Sequence, residues 1–253
     1  KGPARASTLT GSFRRHSVEG LGEVAGREIR VWLPPGYDST SSARYPVVYL
    51  HDGQNVFDAS TSFIGVEWGL DETADRMIRA GEVPAFIAVG IPNAGAKRSW
   101  EYTPVADKGR GGGGAEAYAG FLIQRVKPLV DRTYRTRPDA KNTAVVGSSL
   151  GGIVSMSLGL AHPGTFGRVG CLSPAAWWGG RDIVRRAAAQ ARPGLRVWLD
   201  IGTREGGMAG WQDAIAATRA LHAALGARGL EPGRDVVLVE AEGAEHNEKA
   251  WAE

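Results

Sequence analysis

The chain has 253 residues, 43% of them apolar and 23% charged, the composition of a soluble globular protein long enough to bury one large core. Its formal charge of +3 and isoelectric point near 9.1 come from Lys and Arg scattered among acids, so nothing points to a nucleic-acid partner, and no apolar run approaches the roughly 18 residues of a membrane span. A single Cys excludes an internal disulfide, and Cys171, inside the apolar stretch 169–172, reads as an inert buried thiol.

In chain order, residues 12–18 alternate weakly and residues 28–33 cleanly, and Pro34-Pro35-Gly36 stops the second run. Two antiparallel strands are expected there. Residues 45–50 form a continuous apolar run, as in a strand buried on both faces of a mainly parallel sheet, and end at His51-Asp52-Gly53-Gln54-Asn55. Apolar residues at 70, 74, 77 and 78 share one helix face, and residues 83–91 supply the next buried strand. The aperiodic stretch 92–114, ending in a glycine cluster, is long enough to be functional. Residues 115–135 then have helical spacing, with a kink expected at Pro128.

The run Ala144-Val145-Val146-Gly147-Ser148-Ser149-Leu150-Gly151-Gly152-Ile153 holds the only G-x-S-x-G of the chain. A β-branched run, a glycine, a serine and a helix-compatible segment spell strand, sharp turn and helix, the pattern of a nucleophile elbow. Gly147 and Gly151 are expected where a Cβ would clash with the adjacent strand and helix. Strands follow at 168–172, 195–201 and 235–240, with helices near 182–191 and 211–225. The alternation of strand and helix argues for an α/β three-layer sandwich with a mostly parallel sheet and antiparallel N-terminal strands. Nothing divides the chain, so residues 1–253 are expected to form a single domain. The chain begins at Lys1 and not at Met, as one freed of a signal peptide would and as a trimmed one would. Its compartment, periplasmic, secreted or cytoplasmic, is therefore left open.

A serine nucleophile needs a base C-terminal to it, on a loop beyond a strand, when the order is Ser, acid, His. His16 and His51 come too early, His162 ends the elbow helix, and His222 sits on an amphipathic helix. His246, six residues past the last strand, fits. The acid belongs just past the penultimate strand, where Glu205 is the first choice, with Asp200, Asp182 and Glu245 as less well placed alternatives.

Taken together, Tyr49-Leu50-His51-Asp52-Gly53-Gln54-Asn55-Val56-Phe57, Arg98-x-x-Glu101-Tyr102-Thr103-Pro104, the Ser149 elbow, residues 173–178 and Gly243-x-x-His246-Asn247-Glu248-x-x-Trp251 resemble the Putative esterase family of the α/β-hydrolase superfamily. That family includes feruloyl and acetyl-xylan esterases of carbohydrate esterase family 1, enterochelin esterases, S-formylglutathione hydrolases and mycolyltransferases. The resemblance runs from about Val31 onward. It implies an α/β-hydrolase fold, a nucleophile at Ser149, a base at His246, and an acid at Glu205, where many members carry Asp. It also implies an oxyanion hole formed by the backbone N–H groups of Leu150 and Gln54, and an open site without a large cap domain.

The expected activity is two-step ester hydrolysis through an acyl-enzyme on a small aryl, feruloyl or acetylated-carbohydrate ester, with neither metal nor cofactor. A siderophore trilactone esterase or an acyltransferase on the same fold is the alternative, and a silent carbohydrate-binding domain is the remote one. Trp177, Trp178, Trp100 and Phe57 leave the C-terminal ends of strands, where α/β sheets place ligands, and are candidates for the cleft wall or for core packing.

Overall fold

A computed structural model describes residues 5–39, 42–205 and 211–253. The elements in order are β1 (Ser12–Val18), β2 (Arg27–Leu33), β3 (Val47–His51), α1 (Leu70–Arg79), β4 (Ile87–Ile91), α2 (Arg98–Tyr102), the small hairpin β5 (Ala106–Asp107) and β6 (Gly111–Gly112), α3 (Ala115–Phe121), α4 (Lys127–Thr133), β7 (Thr143–Ser148), α5 (Leu150–Ala161), β8 (Arg168–Leu172), α6 (Trp178–Gln190), β9 (Arg196–Gly202), α7 (Trp211–Ala227), β10 (Val236–Ala241) and α8 (Glu248–Trp251). Eight strands form one sheet in the order β1-β2-β4-β3-β7-β8-β9-β10. β1 and β2 pair antiparallel, β2 is antiparallel to β4, and every other neighbour is parallel. This is the α/β-hydrolase sandwich that the strand and helix alternation implies.

Alternation along each central strand divides its side chains between two cores. Val47, Tyr49, Val89, Val145, Val169, Cys171, Val197 and Leu199 face a core shared with Ile153, Val154 and Leu158 of α5 and Leu221 and Leu225 of α7. Leu50, Trp32 and Ala88 face the other core, which α1 seals with Ala74, Leu70 and Ile78. Over β9 and β10 that second face is barely covered, leaving Trp198 46% and Val239 36% exposed. Only residues 173–177 separate β8 from α6, so no cap is inserted where lidded lipases carry one.

Three sequence expectations shift in detail. The strand expected from 83 begins at Ile87, because Pro84 has no N–H to give to a ladder. The kink expected at Pro128 is a π-helical turn over Leu122–Val126, just ahead of it. Widening the helix there accommodates the hydrogen bond that Pro128 cannot make. The helix expected near residue 182 starts formally at Trp178, but Gly179, Gly180 and Arg181 have φ of 56°, 63° and 66°, so the regular part does begin at Asp182.

Candidate active site

β7 ends at Ser148 and α5 begins at Leu150, leaving Ser149 alone to turn the chain, with φ 57° and ψ −119°. A non-glycine residue held there costs about 1–3 kcal/mol and persists only when its surroundings over-determine it. Here the Ser149 N–H donates to the Leu172 carbonyl at 2.9 Å, and the Ser149 carbonyl accepts from Ala175 at 3.0 Å. A Cβ on Gly147 would come within 2.6 Å of the Gly151 carbonyl carbon, so the strand can meet the helix only as glycine. Gly151 departs from expectation. A Cβ there would meet Asp52 and His51 at an ordinary 3.4 Å, and the crowding falls on Gly152, whose Cβ would lie 3.0 Å from Pro174.

Ser149 and His246 both lie just past the C-terminal ends of parallel strands, β7 and β10, and so at the same edge of the sheet. His246 Nδ1 hydrogen-bonds to Glu205 Oε2. Glu205 is only 2% exposed, and its other oxygen accepts from Ser173 Oγ at 2.6 Å and from the Gly202 N–H at 3.1 Å. Trp251 packs edge-on against the His246 ring at 5.0 Å. Asn247 caps α8 by accepting from Ala250 at 3.1 Å, and Glu248 accepts from Asn55 Nδ2 at 3.3 Å. The C-terminal motif thus holds the histidine loop against the acid on one side and the loop after β3 on the other.

The alternative acids are occupied elsewhere. Asp182 pairs with Arg186 at 2.5 Å and Arg185 at 3.4 Å. Asp200 accepts from the Ser173 N–H at 3.0 Å and from Trp198 Nε1 at 3.3 Å, and burial raises its pKa to about 6. Glu245 is exposed, its carboxylate accepting from Asn247 Nδ2 at 3.4 Å. Of the other histidines, His16 bonds Tyr134 Oη at 2.6 Å and His162 closes α5 beside Glu116. His222 lies within α7. His51 is wholly buried against Tyr118 Oη at 3.0 Å, and burial lowers its pKa to about 4, so it stays neutral.

Leu150 heads α5, where a first-turn N–H has no intrahelical acceptor. Gln54 lies in the short 3-10 turn Gly53–Asn55 after β3. Its carbonyl accepts from Thr61 Oγ1 at 2.8 Å and its side chain from the Asn93 N–H at 3.1 Å. The turn is entered through Asp52, at φ 54°. Arg98 fixes the Asp52 carboxylate with two bonds of 2.7 Å, Asn93 Nδ2 adds one of 2.6 Å, and the Asp52 N–H donates to Tyr102 Oη at 3.1 Å. Gly53 presses on β4 so closely that a Cβ would lie 2.3 Å from the Ile91 nitrogen. In the Arg98-x-x-Glu101 segment, Glu101 is buried and takes a bidentate pair from Arg27 of β2 at 2.6 and 2.8 Å, anchoring α2 to the sheet.

Two of the four aromatic cleft candidates are corrected. Phe57 is fully buried, edge-on to Phe13 at 5.3 Å and against Gly90. Trp178 is buried too, its Nε1 donating to the Val105 carbonyl at 2.9 Å. Both are core. Trp177, with Arg110 at 5.4 Å from its ring, and Trp100, with Lys97 at 5.7 Å, stay partly exposed. Among the described residues no group of three or more His, Cys, Asp or Glu has the geometry of a metal site, and no helix is long and apolar enough to cross a membrane.

A family model described as Putative esterase matches residues 25–253. The chain is 25% identical over 249 residues to the uncharacterized protein YbbA of Bacillus subtilis (strain 168), an alignment spanning 95% of this chain and 92% of that one. It is 28% identical over 199 residues to the siderophore enterobactin esterase of Emericella nidulans, spanning 69% of this chain but only 62% of that longer relative. Among solved structures, the BES protein from Bacillus cereus superposes with a TM-score of 0.73 at 19% identity, covering 100% of this chain and 98% of that one.

Proposed function

The chain belongs to the Putative esterase family, and on that premise we propose that it is a serine carboxylic-ester hydrolase in which Ser149, His246 and Glu205 form the catalytic triad. The observation that carries the reading is the hydrogen bond of His246 Nδ1 to a buried Glu205, on the sheet edge where Ser149 sits in a strained turn. Glu205 holds the imidazole in the tautomer whose Nε2 is bare, so Nε2 can take the Ser149 proton as Oγ attacks the ester carbonyl. The tetrahedral oxyanion is received by the N–H groups of Leu150 and Gln54. As it collapses, His246 returns the proton to the leaving alcohol. Water then repeats the sequence on the acyl-enzyme, releasing the acid.

Residues 1–253 act in this reading as a single domain. The substrate is a small ester, of an aryl or feruloyl acid or an acetylated sugar. A second reading, a siderophore lactone, is favoured by the enterobactin esterase among the relatives. A panel of feruloyl, acetyl-sugar, trilactone and simple aryl esters, together with S-formylglutathione, ranked by kcat/KM decides between them. Alcohol-dependent transesterification outpacing hydrolysis would mark an acyltransferase instead. Failure on every ester, with no labelling by a fluorophosphonate, would leave only a non-catalytic domain.

A further inference from the structure

We propose that Ser173 and Trp251 are positioning residues that fix the Glu205 carboxylate for His246. The proposal rests on the triad reading above and deepens it. Trp251 Nε1 donates to Ser173 Oγ at 3.0 Å, and Ser173 Oγ donates in turn to Glu205 Oε1 at 2.6 Å. The same Trp251 ring lies edge-on to His246 and also to Trp68, whose centroid is 6.4 Å away. One side chain of the last helical turn therefore braces the base directly and the acid through a hydroxyl.

A glutamate needs such a brace more than an aspartate does. Its extra methylene adds a rotatable bond, so one contact to His246 would leave the carboxylate free to swing away. The Ser173 hydroxyl and the Gly202 N–H both bind Oε1, which leaves Oε2 alone to face the imidazole. Trp251 sets the direction of the relay. Its N–H occupies an acceptor site of the Ser173 oxygen, so the hydroxyl hydrogen is aimed at the carboxylate.

Ser173 is itself held for this task. Its φ of 42° is a backbone conformation that serine rarely adopts, and its N–H is shared between the Asp200 carbonyl at 3.1 Å and Asp200 Oδ1 at 3.0 Å. Asp200, which has no place in the proton transfers, thereby acquires a role in anchoring the relay. Ser173 and Trp251 stand 78 positions apart in the chain.

The test is a double-mutant cycle on ester hydrolysis. Ser173→Gly removes the hydroxyl while relieving the positive φ, so folding is not the casualty. It should lower kcat about 10- to 100-fold, the cost of one lost hydrogen bond to a charged group, with KM changed less than about twofold. Trp251→Phe, which keeps a ring but drops the N–H, should lower kcat about 3- to 10-fold. In a Glu205→Gln background both should cost less than about twofold, because the Ser173 hydroxyl and the Trp251 N–H act only through the carboxylate, while phenylalanine keeps the ring that packs against His246. The downfield proton resonance of the His246 Nδ1–H should broaden in Ser173→Gly while thermal melting is unchanged. Wild-type kcat in both single variants, or costs that persist in full on Glu205→Gln, would overturn the proposal. If Glu205→Gln itself keeps wild-type activity, the triad reading falls first; if it is crippled while Ser173→Gly and Trp251→Phe are not, only the positioning role falls.

Discussion

Replacing Glu205 by Gln keeps the length and shape of the side chain and removes its charge, and the surrounding donors decide how the amide must lie. The Oε1 site faces the Gly202 N–H at 3.1 Å and the Ser173 hydroxyl at 2.6 Å. That hydroxyl cannot readily turn round to accept, since Trp251 Nε1 already donates to it at 3.0 Å. An amide NH₂ there would meet donors, so the amide oxygen takes the Oε1 place and the NH₂ faces His246. The imidazole must then accept at Nδ1 and carry its proton on Nε2, the nitrogen that has to be bare to receive the Ser149 proton. Losing the required tautomer, together with the carboxylate that stabilises the imidazolium, should lower kcat about 10²- to 10⁴-fold, equivalent to about 3–5 kcal/mol, with KM little changed. Hydrolysis of p-nitrophenyl acetate gives both constants, and circular dichroism confirms the fold. A Glu205→Gln enzyme of near wild-type kcat, beside an inactive but folded Asp200→Asn or Asp182→Asn, would move the acid to that aspartate.

The elbow glycines should separate. Gly147→Ala forces a Cβ to 2.6 Å from backbone of Gly151 and should cost about 1–3 kcal/mol in chemical denaturation. Gly151→Ala meets only ordinary contacts at 3.4 Å and should change stability by less than about 1 kcal/mol, in either direction. Buried Asp71, which accepts from the Thr10 N–H at 2.7 Å while its other oxygen finds no partner among the described residues, has its pKa raised by burial to about 7. The folded chain therefore binds this proton more tightly than the unfolded one, and the resulting stability, full below about pH 4, is lost as pH rises through about 7. Asp71→Asn should flatten that slope and raise stability at pH 8 by about 1–3 kcal/mol, as read from melting curves at pH 5 and 8. Cys171, buried with its thiol pKa pushed up by burial, should resist a chromogenic disulfide reagent until the protein unfolds; rapid reaction in the native state would mean that the thiol is reached by solvent.

Strand and helix order was legible because alternation and apolar runs are local signals, and β1 matches its expected span of 12–18. The placement of Ser149 and His246 was legible for a related reason. Each sits where an apolar run breaks into a turn, and the chain order of the two elements is itself information. Burial of aromatic side chains was not. Whether Phe57 or Trp178 lines a cleft depends on what packs over it, and the answers, Phe13 and the Val105 carbonyl, lie 44 and 73 residues away. The clamp of Arg98 on Asp52 spans 46 residues and the bond of Trp251 to Ser173 spans 78. Both ends of each were visible inside the quoted motifs, but no spacing rule joins them. Gly151 shows the opposite failure. The motif named it, yet the steric demand falls on Gly147 and Gly152, a distinction that needs the path of β7 and Pro174 in space.

In this mechanism Ser149 is acylated during turnover. It is tested most directly by reacting the protein with a fluorophosphonate and locating the adduct by mass spectrometry of its peptides. One adduct per chain is expected, on Ser149, forming in step with loss of esterase activity and strongly slowed in His246→Ala. An adduct on the neighbouring Ser148, or full hydrolysis persisting in Ser149→Ala, would contradict it.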